Sequence, residues 1–274
     1  MPIFSSRNSK IQYSLFGEGE VLIIAFHGYG KDADSYRVWS DSISNAMVLS
    51  ISLFEHGESV WREEGGLEKQ DFKEILEALI QFLNLENKFI VSLGYSIGAR
   101  YAISLTCLLP HLFKSCILLA PDGFQKVNVV QICARHQWIP RFLIHHPDIV
   151  FFILKLLTFI QILPEGVFQF YLQKFNSIPK RARLFTVWLQ TAAISFSKTQ
   201  IQQCFQDYSI STFCILGKED RIIKPSIQST VQRIFPEARI RIVNEGHALI
   251  NPNIGSVVNE FIIELYSHFL VSSK

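Results

Sequence analysis

Ser96 stands in Gly94-Tyr95-Ser96-Ile97-Gly98, between an apolar run, Phe89 to Leu93, that reads as a buried strand and a helix predicted from Ile97 to Leu109. A chain that passes directly from strand to helix leaves the middle residue on a tight, strained bend. Glycines two before and two after the serine let neighbouring backbone come close, and the new helix aims free N–H groups and its positive dipole end at the same spot. Such a bend suits an alkoxide or an oxyanion. A serine hydroxyl is a poor nucleophile at neutral pH, so it needs a histidine to take its proton and a carboxylate to fix that histidine's tautomer.

The surrounding pattern predicts the elements that would position these groups. Ile11 to Phe16 and Val21 to Phe26 flank Gly17-Glu-Gly-Glu20 and suggest a first hairpin leading into a central strand. The second segment, Val-Leu-Ile-Ile-Ala-Phe, is apolar throughout, as in a strand covered by helices on both faces, and it ends in His27-Gly28-Tyr29-Gly30. A third strand, Met47 to Leu53, runs into Phe54-Glu-His-Gly-Glu-Ser59. Phe72, Ile75, Leu76, Leu79, Ile80 and Leu83 keep helical spacing ahead of the Ser96 strand. After the Ser96 helix, Cys116 to Ala120 predicts a strand ending in Pro121-Asp122-Gly123. Strands resume only at Thr212 to Leu216, followed by a helix from about Ser226 to Ile234, a strand near Arg239 to Val243 and a last helix ending near Phe269. Alternating strands and helices, interrupted once, imply a mostly parallel sheet with helices on both faces and one insertion.

At this point G-Y-S-I-G in its strand-turn-helix setting resembles the nucleophile elbow of the α/β-hydrolase superfamily. The resemblance implies an α/β-hydrolase fold with a core over residues 1–123 and 207–274 and an inserted helical cap over 124–206. It makes Ser96 the nucleophile. In this superfamily the acid and then the histidine follow the serine along the chain, each on a loop at the carboxyl end of a strand. His247, in Glu245-Gly-His, lies past the last predicted strand, and Asp220, in Gly217-Lys-Glu-Asp-Arg-Ile-Ile-Lys-Pro225, lies past the one before. Two other acids compete with Asp220: Glu219, its neighbour, and Asp122, which follows the strand after the elbow. His27-Gly28-Tyr29-Gly30 resembles the HGxG turn, which implies the backbone N–H groups of Tyr29 and Ile97 as oxyanion donors and His27 as a residue that stabilises the turn. Phe54-Glu-His56-Gly57-Glu-Ser59 resembles the GHGxS loop, with Glu55 in place of the first glycine, and His56 is expected to be architectural. Arg100 departs from the pattern, standing where many relatives keep a small residue beside the elbow.

Composition excludes other classes. With 274 residues and 49% apolar composition the chain can bury a large core, and its first ten residues lack the apolar run of a signal peptide, so a cytoplasmic protein is expected. Five cysteines (Cys107, Cys116, Cys133, Cys204, Cys214) without close paired spacing argue against a disulfide framework and a zinc site, and no metal or cofactor is expected. The run Ile149 to Leu163 is broken by Lys155 and falls short of the ~20 residues that span a bilayer. A serine at the elbow points to ester or thioester cleavage of an apolar acyl substrate, whereas relatives that cleave carbon–halogen bonds or epoxides place aspartate there. Carbon-carbon hydrolysis, cofactor-free perhydrolysis and a non-catalytic binding role on the same fold stay open. Between Phe124 and Gln206 nine bases face two acids, a net +7 against −5 for the rest of the chain. This basic cap suggests an acidic acyl carrier or an anionic membrane surface as a partner and, lacking a groove-reading element, no nucleic acid.

Overall fold

The computed structural model describes residues 1–63, 66–124, 135–136, 138–160, 165–174 and 176–272. Among them, eight strands form one sheet: β1 Ile3–Ser6, β2 Ser9–Gly17, β3 Val21–Phe26, β4 Ala46–Ile51, β5 Phe89–Tyr95, β6 Phe113–Leu119, β7 Ser211–Gly217 and β8 Arg239–Val243. Their order is β1-β2-β4-β3-β5-β6-β7-β8. Strands β3 to β8 run parallel, and β1 and β2 are antiparallel additions at one edge. Every residue of β3 and β5 is buried, as a parallel sheet covered on both faces requires.

The expected hairpin between the first two long strands is not formed. β2 pairs with β4 (Tyr13 opposite Ile51, Gly17 opposite Met47), and β3 lies on the far side of β4, between it and β5. Two glycines make this crossing. Gly17 and Gly19 have φ of +79° and +144°, and a side chain on either would strike the backbone of Asn45 or Ala46, so the connection passes hard against the start of β4. A glycine-rich spacer between two apolar runs signals a hairpin only when the spacer is free to turn back; here it is pinned to a third strand.

Helix α1 (Lys69–Phe82) precedes β5, and α2 (Gly98–Leu108) follows it and packs over β3, β5 and β6. Phe26 of β3 meets Phe72 of α1 and Tyr101 of α2, at ring-centroid distances of 6.2 and 6.0 Å. Between β6 and β7 lie α3 (Trp138–His145), α4 (Pro147–Phe159), α5 (Glu165–Lys174), α6 (Ile178–Ile194) and α7 (Lys198–Asp207). α6 joins this insertion to the core, burying Leu184, Phe185, Val187 and Ile194 against it and setting Thr191 Oγ1 3.3 Å from the Tyr101 hydroxyl. α8 (Gln228–Ile234) lies between β7 and β8, and α9 (Pro252–Ser272) closes the chain.

α9 is long and apolar enough over Pro252–Val271 to cross a membrane by length and composition alone. It holds no long unbroken apolar run, because Asn259-Glu260, Glu264 and Ser267-His268 interrupt it at intervals. One side of it is docked on the core: Val258 and Ile262 are buried, and Phe261 stacks on Phe213 at 4.4 Å. Cys107, Cys116, Cys204 and Cys214 are free thiols, while Cys133, Lys126 and residues 161–163 of the apolar run lie outside the described residues.

Candidate active site

β5 delivers Ser96 to the carboxyl end of the sheet and α2 begins two residues later. Ser96 has φ +54°, a left-handed conformation that L-residues avoid at a cost of roughly 1–2 kcal/mol. The bend is over-determined by its neighbours. The Ser96 N–H donates to Leu119 O at 2.9 Å, and the Ser96 carbonyl accepts from the N–H of Ala99 at 3.0 Å and of Asp122 at 3.1 Å. Side chains at the flanking glycines would collide with backbone: Gly94 abuts Gly98 and Ala99, and Gly98 abuts the carbonyls of Phe26 and His27. The start of α2 is thereby pressed against the His27-Gly28 turn. A Cβ on Gly28 would sit 3.4 Å from Ser96 Cβ and 2.7 Å from the Tyr95 ring. The turn carrying Tyr29 and the N-terminal end of α2, with its positive dipole end, therefore converge on Ser96.

Asp220 and His247 arrive on two loops that are stitched together. Lys218 N–H donates to Val243 O at 2.8 Å and Glu219 N–H to Glu245 O at 3.0 Å. Across this join His247 Nδ1 lies 2.7 Å from Asp220 Oδ2, and the Asp220 side chain is fully buried. Asp220 Oδ1 accepts from the N–H groups of Ile222 and Ile223, both at 2.8 Å. Two backbone donors at Oδ1 and the imidazole at Oδ2 hold the carboxylate in place, so Nδ1 is the nitrogen that carries the proton toward Asp220 and Nε2 is left as the acceptor on the other edge of the ring. Tyr95 fixes this loop against the elbow: its hydroxyl donates to the His247 carbonyl at 2.8 Å, and the two rings lie 5.2 Å apart. Burial drives the Tyr95 hydroxyl's pKa well up, so it stays a neutral donor.

The competing acids are placed elsewhere. Glu219 is exposed. Asp122 Oδ2 accepts from Arg100 Nε at 2.7 Å, and the Arg100 side chain is only 8% exposed. Arg100 thus has a role that the sequence did not reveal: it lies along Gly123 and ties the β6 loop to the elbow helix. The signal was present as a charged residue on a helix otherwise buried from Gly98 to Thr106, which obliges a partner. Replacing Asp122 by asparagine is expected to lower unfolding stability by about 1–3 kcal/mol, because a largely buried guanidinium loses its counter-charge. A urea melt measures this, and turnover of a small ester should stay within about twofold of wild type, the site being chemically separate.

His27 is wholly buried and bridges two loops: Nδ1 donates to Gly28 O at 2.8 Å and Nε2 accepts from Leu53 N–H at 3.0 Å. Burial first, then the nearby His56, depress its pKa from the ordinary 6.5 to about 3. Between these values the unfolded chain binds a proton that the folded protein refuses. Stability should therefore fall as pH drops through this window, by up to about 1.4 kcal/mol per pH unit for this group, and be unaffected by it above the window. Urea midpoints at pH 7 and pH 5 test this, and a His27→Gln variant should lose less between them than wild type. His56 is equally buried, with Nδ1 3.1 Å from Phe54 O and its ring edge-on to His27 and Tyr29, so it packs the turn.

Searched against protein-family models, the chain matches none. It is 29% identical over 113 residues to an esterase of Mycobacterium tuberculosis, covering 40% of this chain and 37% of that protein. It is 30% identical over 99 residues to a Haemophilus influenzae protein provisionally described as an esterase/lipase, covering 36% of this chain and 33% of that one. These alignments span about a third of the length of the curated relatives. Over the whole length, a thermophilic esterase from Thermogutta terrifontis superposes with a TM-score of 0.66 at 17% identity, covering 94% of both chains. An α/β-hydrolase enzyme from a Medee basin deep-sea metagenome superposes with a TM-score of 0.65 at 16% identity, covering 97% of both. With its strand order, its left-handed serine between β5 and α2 and this end-to-end superposition, the chain has the α/β-hydrolase fold.

Proposed function

We propose that this protein is a serine hydrolase that cleaves a carboxylic ester or thioester of an apolar acyl chain. The reading rests on one observation above the others: a buried carboxylate, Asp220, orients His247 through a 2.7 Å hydrogen bond on a loop tied by Tyr95 to the strained Ser96. Ser96 Oγ attacks the acyl carbon while His247 Nε2 takes the hydroxyl proton, and Asp220 stabilises the imidazolium that forms. The carbonyl oxygen becomes an oxyanion facing the N–H groups of Tyr29 and Ile97. His247 then returns the proton to the leaving alcohol or thiol. A water, deprotonated by the same histidine, attacks the acyl-enzyme, releases the carboxylic acid and restores Ser96.

Esterase names on the two curated relatives support the ester as substrate, and the apolar composition of the helices between β6 and β7 supports an apolar acyl group. Hydrolysis of p-nitrophenyl esters of increasing acyl length tests the proposal. The expected profile peaks at one chain length and is abolished in a His247→Ala variant. A folded protein inert toward every ester would overturn it.

A further inference from the structure

α4 is apolar on two opposite faces, and among the described residues only one is packed on the core. Phe151, Leu154 and Leu157 are partly buried, with Phe151 and Leu154 packed on the core. On the other side Ile149, Phe152, Ile153, Leu156, Phe159 and Ile160 recur at helical spacing and form one outward stripe. Phe152 is 69% exposed and Phe159 82%, and Trp138 of the adjoining α3 is 67% exposed. A helix apolar all round is normally buried on every side, and a contiguous aromatic stripe left in solvent marks a docking surface.

We infer that this stripe docks on an anionic lipid membrane, with α4 lying in the plane of the interface. The stripe contains no polar side chain, so it offers no hydrogen-bonding group of the kind that gives a protein partner its register, and an acyl layer requires none. Lys155 projects from the edge of the same helix, two turns on from the exposed Asp148, and Arg135 and Lys180 are exposed elsewhere between β6 and β7. The insertion as a whole carries nine bases against two acids. That charge attracts an anionic surface and repels a second copy, which would bring two such caps face to face. The docking itself does not depend on chemistry at Ser96. Its consequence, that apolar esters are taken from the lipid phase, rests on the ester-hydrolase reading.

Co-sedimentation with vesicles of phosphatidylcholine, alone or mixed with phosphatidylglycerol, tests the inference. Wild type should pellet with the mixed vesicles at low salt and be released as salt rises. A Phe152→Asp/Leu156→Asp/Phe159→Asp variant should bind at least about tenfold more weakly, with hydrolysis of a soluble acetate ester unchanged. If that variant loses its helical circular dichroism, Phe159→Asp alone, at the most exposed position, carries the comparison. Wild type remaining in the supernatant would overturn the inference. So would equal binding by the variant, or a wild-type dimer in solution that the substitutions abolish. Retention by vesicles in a protein with no esterase activity would uphold the docking and remove the proposed function instead.

Discussion

Replacing Ser96 by alanine is expected to lower kcat on the best p-nitrophenyl ester by about 10⁴- to 10⁶-fold, leaving only what binding and the oxyanion donors supply. The reasoning is local. Ser96 lies where the first turn of α2 and the Tyr29 turn converge, because Gly28 and Gly98 hold these two backbones in contact around that residue. Fold should be retained, since Ser96 is held by backbone hydrogen bonds that alanine also makes. The left-handed φ of +54° adds a second expectation: Ser96→Gly should be more stable than Ser96→Ala by about 1 kcal/mol, as glycine alone relieves the strain. Kinetics and urea melts on the two variants separate the chemical role from the conformational one. A Ser96→Ala enzyme within tenfold of wild type would place the nucleophile elsewhere.

Asp220→Asn is expected to cost about 10⁴-fold in kcat with little change in structure. Asparagine can keep the two hydrogen bonds from Ile222 and Ile223 on its carbonyl oxygen, which turns its amide group toward His247. An NH₂ group cannot accept from Nδ1–H. The imidazole is driven to the other tautomer, with its proton on Nε2, and can no longer take one from Ser96. The same substitution at Asp122 should be nearly silent in kcat and visible in stability, because that carboxylate faces Arg100. Equal losses of activity at the two positions, or a larger one at Asp122, would reassign the acid.

Much of the candidate site was legible in the sequence. Ser96 and Asp220 follow apolar strands that end in Gly-containing turns, and His247 follows the shorter Arg-Ile alternation of β8 in Glu245-Gly-His, and such breaks are strong local signals in a sequence. The acid of the proposed triad was less so, because sequence places Asp122, Glu219 and Asp220 at similar loop positions, whereas in the structure Asp122 faces Arg100, Glu219 is exposed and Asp220 meets His247. Tyr95 was invisible for a related reason: within a wholly buried strand an aromatic residue reads as core, and its hydrogen bond to His247 crosses 152 positions. The hairpin misreading has the same origin, since the pinning of Gly17 and Gly19 against Asn45 and Ala46 is a contact between segments. Local periodicity predicts elements, and pairings between distant segments follow from packing that one strand's sequence does not encode.

The most direct test of the central claim is covalent. Incubated with a fluorophosphonate, the wild-type protein should gain the mass of one phosphonyl group, mapped to the peptide that contains Ser96. Ser96→Ala should gain none, and Asp220→Asn should label far more slowly, since the reagent needs the same histidine-assisted alkoxide. A wild-type protein that stays unmodified while folded, or an adduct on any other residue, would contradict the account.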